Sequence, residues 1–354
     1  MPHIVGELVT QHTHETLHSL AESLHRIEIE TAAPDRGLQL PLPLGFSPLD
    51  DLLNGGLRPG ELMIIGGAAG VGKTIFGLQL ARNVALRQTV SGKSGGAMYV
   101  CFEHDQAHLT QRLLCLESAE LGQGEEALTM AKLAKLAAAA GGGNGSSVGL
   151  IGLLRRDPKY ATVVQSLERY AERLFLVKAS GRHSTLDRIA DAAVTLARKS
   201  PASLLVVDYL QKIPVDSAAL EPETEATTFL AQGLKDLALE TGLRLMAIAA
   251  LDHEGLRHKR TRFSDLRGSS ALQYEADVGL IFNNKYDIVS REHLVYNERQ
   301  APDLQRWLVM TVEKNRAGRA RVDMEYGLDA AHFRLISKGG YVRERLIDDR
   351  LTLE

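Results

Sequence analysis

Eight consecutive residues carry the plainest chemistry in the sequence. Gly67-Ala68-Ala69-Gly70-Val71-Gly72-Lys73-Thr74 fits the spacing GxxxxGK[ST]. It follows the apolar run Leu62 to Ile65 and opens the stretch Lys73 to Arg87, whose apolar side chains recur at helical spacing. In that setting the glycines let main-chain N–H groups wrap a β-phosphate, and the helix start adds partial positive charge. Lys73 is then placed to reach the β- and γ-phosphates, and Thr74 to ligate magnesium. The expected ligands are a nucleoside triphosphate and Mg2+.

Two acids extend this site. Asp208 ends the apolar run Leu204-Leu205-Val206-Val207, where a carboxylate can hold the magnesium shell across from the phosphate loop. Glu103 follows the run Met98 to Phe102, at the end of the strand expected to neighbour the phosphate-loop strand. A carboxylate there can orient water for attack on a γ-phosphate. The plainer alternative for Glu103 is a solvated turn residue.

These groups need strand tips to hold them. Leu62 to Ile65, Met98 to Phe102, Leu174 to Val177, Leu204 to Val207, Leu245 to Ala249 and Val278 to Phe282 are continuous apolar runs that suit strands buried on both faces. Helical stretches lie between them at Lys73 to Arg87, Thr185 to Arg198 and Glu223 to Leu239, with Ser184 and Asp187 resembling a helix start. Trp307 to Val312, Ala320 to Tyr326 and His332 to Ile336 read as antiparallel strands. The expected fold is α/β, a mostly parallel central sheet flanked by helices, with an antiparallel C-terminal edge.

Residues 1–40 form an arm: a helix around His14 to Ile29 and a connector with Pro34 nearby, then Pro41 and Pro43. That helix packs either on its own body or on a neighbouring subunit. The main domain is expected over 41–340, with 341–354 as a tail. Within it, residues 122–148 turn Ala-rich and then Gly-, Asn- and Ser-rich, the composition of a flexible surface insertion.

Composition sets outer limits. With 354 residues, 44% hydrophobic and 24% charged, a large core is available. A net charge of −3 argues against a protein that coats nucleic acid with its whole surface, so such contact must come from local basic loops. Cys101 and Cys115 are too few for a disulfide framework or a zinc site. No apolar segment approaches the roughly 20 residues of a spanning helix, so no membrane partner and a cytoplasmic location are expected.

The chain resembles the motor domain of DnaB-type replicative helicases, within the wider RecA, RadA and KaiC superfamily, from about Leu40 to Ser337. The resemblance is carried by Gly45-Phe46-Ser47-Pro48-Leu49-Asp50 with Gly55-Gly56-Leu57, the phosphate loop, Phe102-Glu103 and Val207-Asp208-Tyr209-Leu210-Gln211. It continues through Ser264-Asp265-Leu266-Arg267, Gln273-Tyr274-Glu275-Ala276-Asp277 and Lys314-Asn315-Arg316-Ala317-Gly318. It implies a RecA-like fold, ATP as the nucleotide, Glu103 as the catalytic carboxylate and Asp208 as the magnesium-linked acid. It further implies a homo-oligomeric ring, hexameric in the family, with Lys314 and Arg316 reaching the γ-phosphate held by the adjacent subunit. The loop at Arg267, Gly268 and Ser270 would face the channel and touch single-stranded DNA, with Arg257, Lys259, Arg260 and Arg262 just before it. A solvated basic hairpin and a solvated surface loop are the ordinary alternatives for these two groups.

The chain also departs from that pattern. The family carries an amino-terminal helical domain that recruits primase, but only about 40 residues precede the motor here, so a primase partner is unsupported and a loader unknown. The family's Ser-Gln pair at the end of the fourth core strand, a γ-phosphate sensor, reads Ala249-Ala250, and its acidic residue after the channel arginine is Gly268. A methyl group neither donates nor accepts a hydrogen bond, so any relay from phosphate to DNA loop must be supplied elsewhere or is lost. A KaiC- or RadA-like nucleotide-switched assembly ATPase is the competing function.

Overall fold

The apolar runs fold as strands because each can be covered on both faces. In the computed structural model, which describes residues 17–32, 40–87, 95–140, 148–200, 203–215, 223–289 and 301–347, every residue of β1 (Leu62–Gly67), β2 (Ala97–Cys101), β4 (Leu204–Asp208) and β5 (Arg244–Ile248) is buried. Side chains alternate between two apolar layers. Met63 and Ile65 face Phe76 and Leu80 of α3 (Lys73–Leu86) and Leu109 of α4 (Gln106–Glu120). Leu62 and Ile64 face Ile189 of α8 (Leu186–Lys199), Leu230 of α9 (Glu223–Thr241) and Leu272 of α10 (Ser269–Glu275).

Strand order is β10-β8-β7-β6-β1-β5-β4-β2-β3, with β9 (Arg334–Leu335) paired to β8. From β6 (Val278–Asn284) through β3 (Leu174–Lys178) all pairings are parallel, while β7 (Trp307–Asn315), β8 (Val322–Asp329) and β10 (Gly340–Tyr341) continue antiparallel. This is the α/β architecture the patterning predicts. Phe76 ties α3 to the sheet, its ring 4.9 Å from Phe46 and 5.3 Å from Phe282.

The structure departs from the sequence pattern in several places. The strand before Glu103 does not neighbour the phosphate-loop strand: β1 pairs with β5 and β6, and β2 lies beyond β4. Among the described residues β3 is a sheet edge with no strand on its outer side, and of its side chains only Leu174 is buried. The cap of α8 is Thr185, whose hydroxyl accepts from the Arg188 N–H, whereas Ser184 accepts from the Ser180 N–H. The expected flexible insertion over 122–148 contains a helix, α5 (Met130–Ala140). Leu128 and Leu133 pack there with Leu154 of α6 (Leu150–Arg156) and Val163 of α7 (Ala161–Glu168) as a third apolar cluster. Its Gly141–Ser147 run lies outside the described residues.

The ends differ too. Within the expected tail, residues 341–347 are tied to the domain: Tyr341 in β10 pairs with Met324, and the Ile347 N–H donates to the Ile288 carbonyl at 2.7 Å. At the other end, α1 (Leu20–Ala32) is started by a reciprocal cap between Ser19 and Glu22. Leu20, Leu24 and Ile27 stay more than half exposed, so the apolar stripe of this helix does not pack on its own body.

Candidate nucleotide site

β1 delivers the chain into the phosphate loop through Gly67, whose φ of +142° no other residue adopts readily, and a Cβ there would lie 2.4 Å from the Phe282 carbonyl oxygen. The loop closes on Gly72, which caps α3, while Ala68, Ala69 and Gly70 are exposed and Val71 is buried. Lys73 Nζ donates to the Gly67 and Ala68 carbonyls at 2.6 and 2.7 Å. Burial lowers its pKa to about 8, against the opposing pull of Asp208 and Glu103.

Parallel pairing puts the two acids on adjoining strand tips. Cys101 is in register with Asp208, and the Phe102 N–H donates to the Asp208 carbonyl at 2.9 Å, which leaves Glu103 exposed just past the β2 tip. Asp208 is 2% exposed and accepts from the Tyr99 hydroxyl at 2.7 Å. Burial raises its pKa, while hydrogen bonds from Tyr99 and Thr74 pull the other way and Glu103 adds to the rise. Lys73, Thr74, Glu103 and Asp208 all line one cleft of about 530 Å3, with Ala249 and Ala250 on its wall.

A buried carboxylate bonded to a hydroxyl, with a second carboxylate nearby, is a favourable setting for a cation. Among the described residues no cluster of three or more His, Cys, Asp or Glu side chains could hold a metal alone. Magnesium fits such a sparse set, because it keeps several waters and takes most other ligands from phosphates. Thr74 and Asp208 are the residues that would hold it.

The remaining predicted residues do not gather at this cleft. Lys314 donates to the Gln273 carbonyl and contacts that of Tyr274 at 3.4 Å. Arg316 donates to the Tyr274 carbonyl and meets Asp277 at 3.3 Å. Both therefore sit at the C-terminal end of α10, and burial followed by the Arg316 charge lowers the Lys314 pKa.

The seven residues expected to form one DNA-facing surface are split. Arg260 is 7% exposed and paired to Asp323 at 2.7 Å, and Arg262 meets Glu313 at 3.3 Å, both lining a cleft shared with Lys314. Neither is a solvated phosphate-tracking side chain, because an acid on β7 or β8 already holds it. Arg257 and Lys259 are exposed and flank the outer side of Ala68 to Val71. Arg267 is half-buried, Gly268 caps α10 and Ser270 is exposed on that helix.

Other residues shape the cleft without belonging to any of the motifs. Tyr99 orients Asp208, and a third group closes the cleft: the Arg112 guanidinium lies 4.8 Å from the Phe333 ring centroid and 2.9 Å from His104 Nε2. His104 and His108 stack with centroids 4.5 Å apart, and burial and then Arg112 lower both their pKa values. His104, His108 and Arg112 recur every fourth residue, a one-face helical signal that was available in the sequence. Phe333 had none, since it arrives from beyond β8. Asp277, in one of the motifs, is a hub that accepts from the Leu62 N–H and Lys235 and pairs with Arg316.

The profile of the DnaB-like helicase C-terminal domain matches residues 41–334. The chain belongs to that family. The replicative DNA helicase DnaB of Treponema pallidum (strain Nichols) is 25% identical over 274 residues, covering 77% of this chain and 55% of that protein. The corresponding helicase of Geobacillus stearothermophilus is 26% identical over 248 residues, covering 69% and 48%. The chain thus spans about half the length of the curated relatives it matches. A solved helicase described as DnaB-like, and studied for its interactions with primase, superposes with a TM-score of 0.63 at 18% identity, covering 91% of this chain and 67% of that one. At that identity the likeness concerns the fold, which is RecA-like. No helix among the described residues is long and apolar enough to cross a membrane.

Proposed function

We propose that this DnaB-like domain is an ATP-hydrolysing motor that works as one subunit of a ring and translocates on single-stranded DNA. The observation that supports it most is the convergence of Lys73, Thr74, Glu103 and Asp208 on one cleft at the carboxyl tips of β1, β2 and β4. In this reading main-chain amides of 67–74 grip the β-phosphate and Lys73 spans the β- and γ-phosphates. Thr74 and Asp208 would hold Mg2+, which when bound would neutralise charge on the phosphates. Glu103, exposed to the cleft, orients a water in line with the γ-phosphate and accepts its proton.

Arg316 and Lys314 act on the γ-phosphate of the adjacent subunit. Their position at the end of α10, away from the Lys73 cleft, favours action between subunits over action within one. A cation so placed stabilises charge developing on the transferred phosphoryl group. Arg257 and Lys259, exposed on the flank of the phosphate loop, and the loop at Arg267 track DNA through its phosphates, a contact insensitive to base sequence and weakened by salt.

A nucleotide-switched assembly ATPase is the second reading, favoured by the apolar Ala249 and Ala250 in the cleft wall. ATP turnover with and without single-stranded DNA separates the two: strong stimulation is expected, and DNA-independent turnover would favour the switch. Mixed rings of Arg316→Ala and Glu103→Ala subunits should regain part of the activity lost by each, and uniformly dead mixtures would remove the trans role of Arg316.

A further inference from the structure

We propose that Gln211 is a positioning residue that ties the wall of the nucleotide cleft to the basic loop at Arg267, so that one side-chain amide passes the state of the cleft to that loop. This rests on the reading of the chain as a DNA-stimulated ATPase.

Gln211 stands three residues beyond Asp208, in the short turn Leu210–Lys212, which is pinned by buried Leu210 and Ile213. Its Oε1 accepts from the Ala250 N–H at 3.0 Å, and its Nε2 donates to the Arg267 carbonyl at 3.3 Å. Ala250 lines the nucleotide cleft, and its own carbonyl accepts from the Arg267 N–H at 3.0 Å. Both main-chain polar atoms of Arg267 are therefore engaged, one by the cleft wall and the other by Gln211. The seam continues outward, with Leu251 paired to Leu266 and the Asp252 N–H donating to the Asp265 carbonyl at 2.9 Å.

The far side of the loop has no slack either. Gly268 adopts φ +72° against α9, where a Cβ would stand 2.5 Å from Thr227 Cγ2. A small shift of Asp208 or Ala250 must then carry Arg267 with it or break these hydrogen bonds. An amide suits this task because it presents an acceptor and donors on one rigid plane. The Ala250 methyl can form no such bond, so the polar link runs through main-chain atoms and the Gln211 side chain.

The test measures ATP turnover of the full chain against single-stranded oligonucleotide concentration for the wild type, Gln211→Ala and Gln211→Glu, with thermal melting alongside. Gln211→Glu keeps the acceptor for Ala250 but turns the donor facing the Arg267 carbonyl into an acceptor. Both variants should keep the KM for ATP and the DNA-free turnover within about twofold, while the ratio of stimulated to basal turnover falls by about fivefold or more. Equal ratios in the wild type and both variants overturn the coupling role. A lowered melting temperature with basal and stimulated turnover falling together also overturns it, in favour of simple support of the fold. If the wild type is not stimulated by DNA at all, the motor reading itself fails first, and the inference with it.

Discussion

The phosphate loop with its two acids and the basic stretch from Arg257 to Ser270 respond very differently to folding. Each member of the first set sits at the end of a buried strand or the start of a helix, so parallel register brings Lys73, Glu103 and Asp208 into one cleft. The second set rides on turns, and its members take whatever partner the tertiary structure offers: Arg260 an aspartate on β8, Arg262 a glutamate on β7, Arg257 and Lys259 the flank of the phosphate loop. Charge in a loop becomes a surface property only after neighbouring acids on the sheet have taken their share. A cluster of basic letters is therefore a weaker guide to function than an acid at a strand tip.

Substitutions can break or sharpen that contrast. Lys73→Ala should have the largest effect, taking turnover to background and triphosphate binding below detection in a fluorescent-nucleotide titration; retained binding would remove the phosphate grip from this loop. Glu103→Gln should leave nucleotide affinity intact and slow turnover by about 10²–10⁴-fold, and unchanged turnover would return Glu103 to the role of a solvated turn residue. In the second region, Arg260→Ala should cost about 2 kcal/mol of stability by removing the charged hydrogen bond to half-buried Asp323, which keeps the Thr311 hydroxyl as a donor, read by urea unfolding; a fully stable variant that lost DNA binding would restore Arg260 to the basic surface.

The nucleotide cleft also makes a pH prediction. The Lys73 ammonium is charged below its pKa of about 8 in the free protein and increasingly neutral above it, and a triphosphate prefers the charged form. ATP affinity should be flat below about pH 8 and fall by up to about tenfold per unit above it, a fall that Lys73→Arg should remove because guanidinium stays protonated. The smallest effect belongs to Arg257→Ala, which should leave melting unchanged, weaken single-stranded DNA binding a few-fold and lower the salt slope by about 1. An unchanged slope would take Arg257 off the DNA path.

The sequence made the parallel sheet, the phosphate loop and Asp208 legible because buried strands need continuous apolar runs and phosphate loops need glycine. Strand order was hidden, since no local signal places β5 and β4 between β1 and β2. The segment around Met130–Ala140 misled for a related reason. Its alanines favour helix, but next to Gly141–Ser147 the composition suggested a linker, and only the burial of Leu128 and Leu133 against α6 and α7 distinguishes the two. Phe333 and Tyr99 were illegible as site residues because their roles depend on elements distant in the chain.

The C-terminal edge bears on how the domain is prepared. The family match stops at 334, yet β10 covers the outer side of β8, and the buried Lys285 ammonium is shared between Glu325 and Glu344. A recombinant fragment cut at the family boundary would strip β8 of that neighbour and leave Lys285 with one carboxylate, baring a sheet margin of the sort that recruits other chains. Expression trials that stop at 334 should yield clumped material, and those extended through Ile347 should stay dispersed.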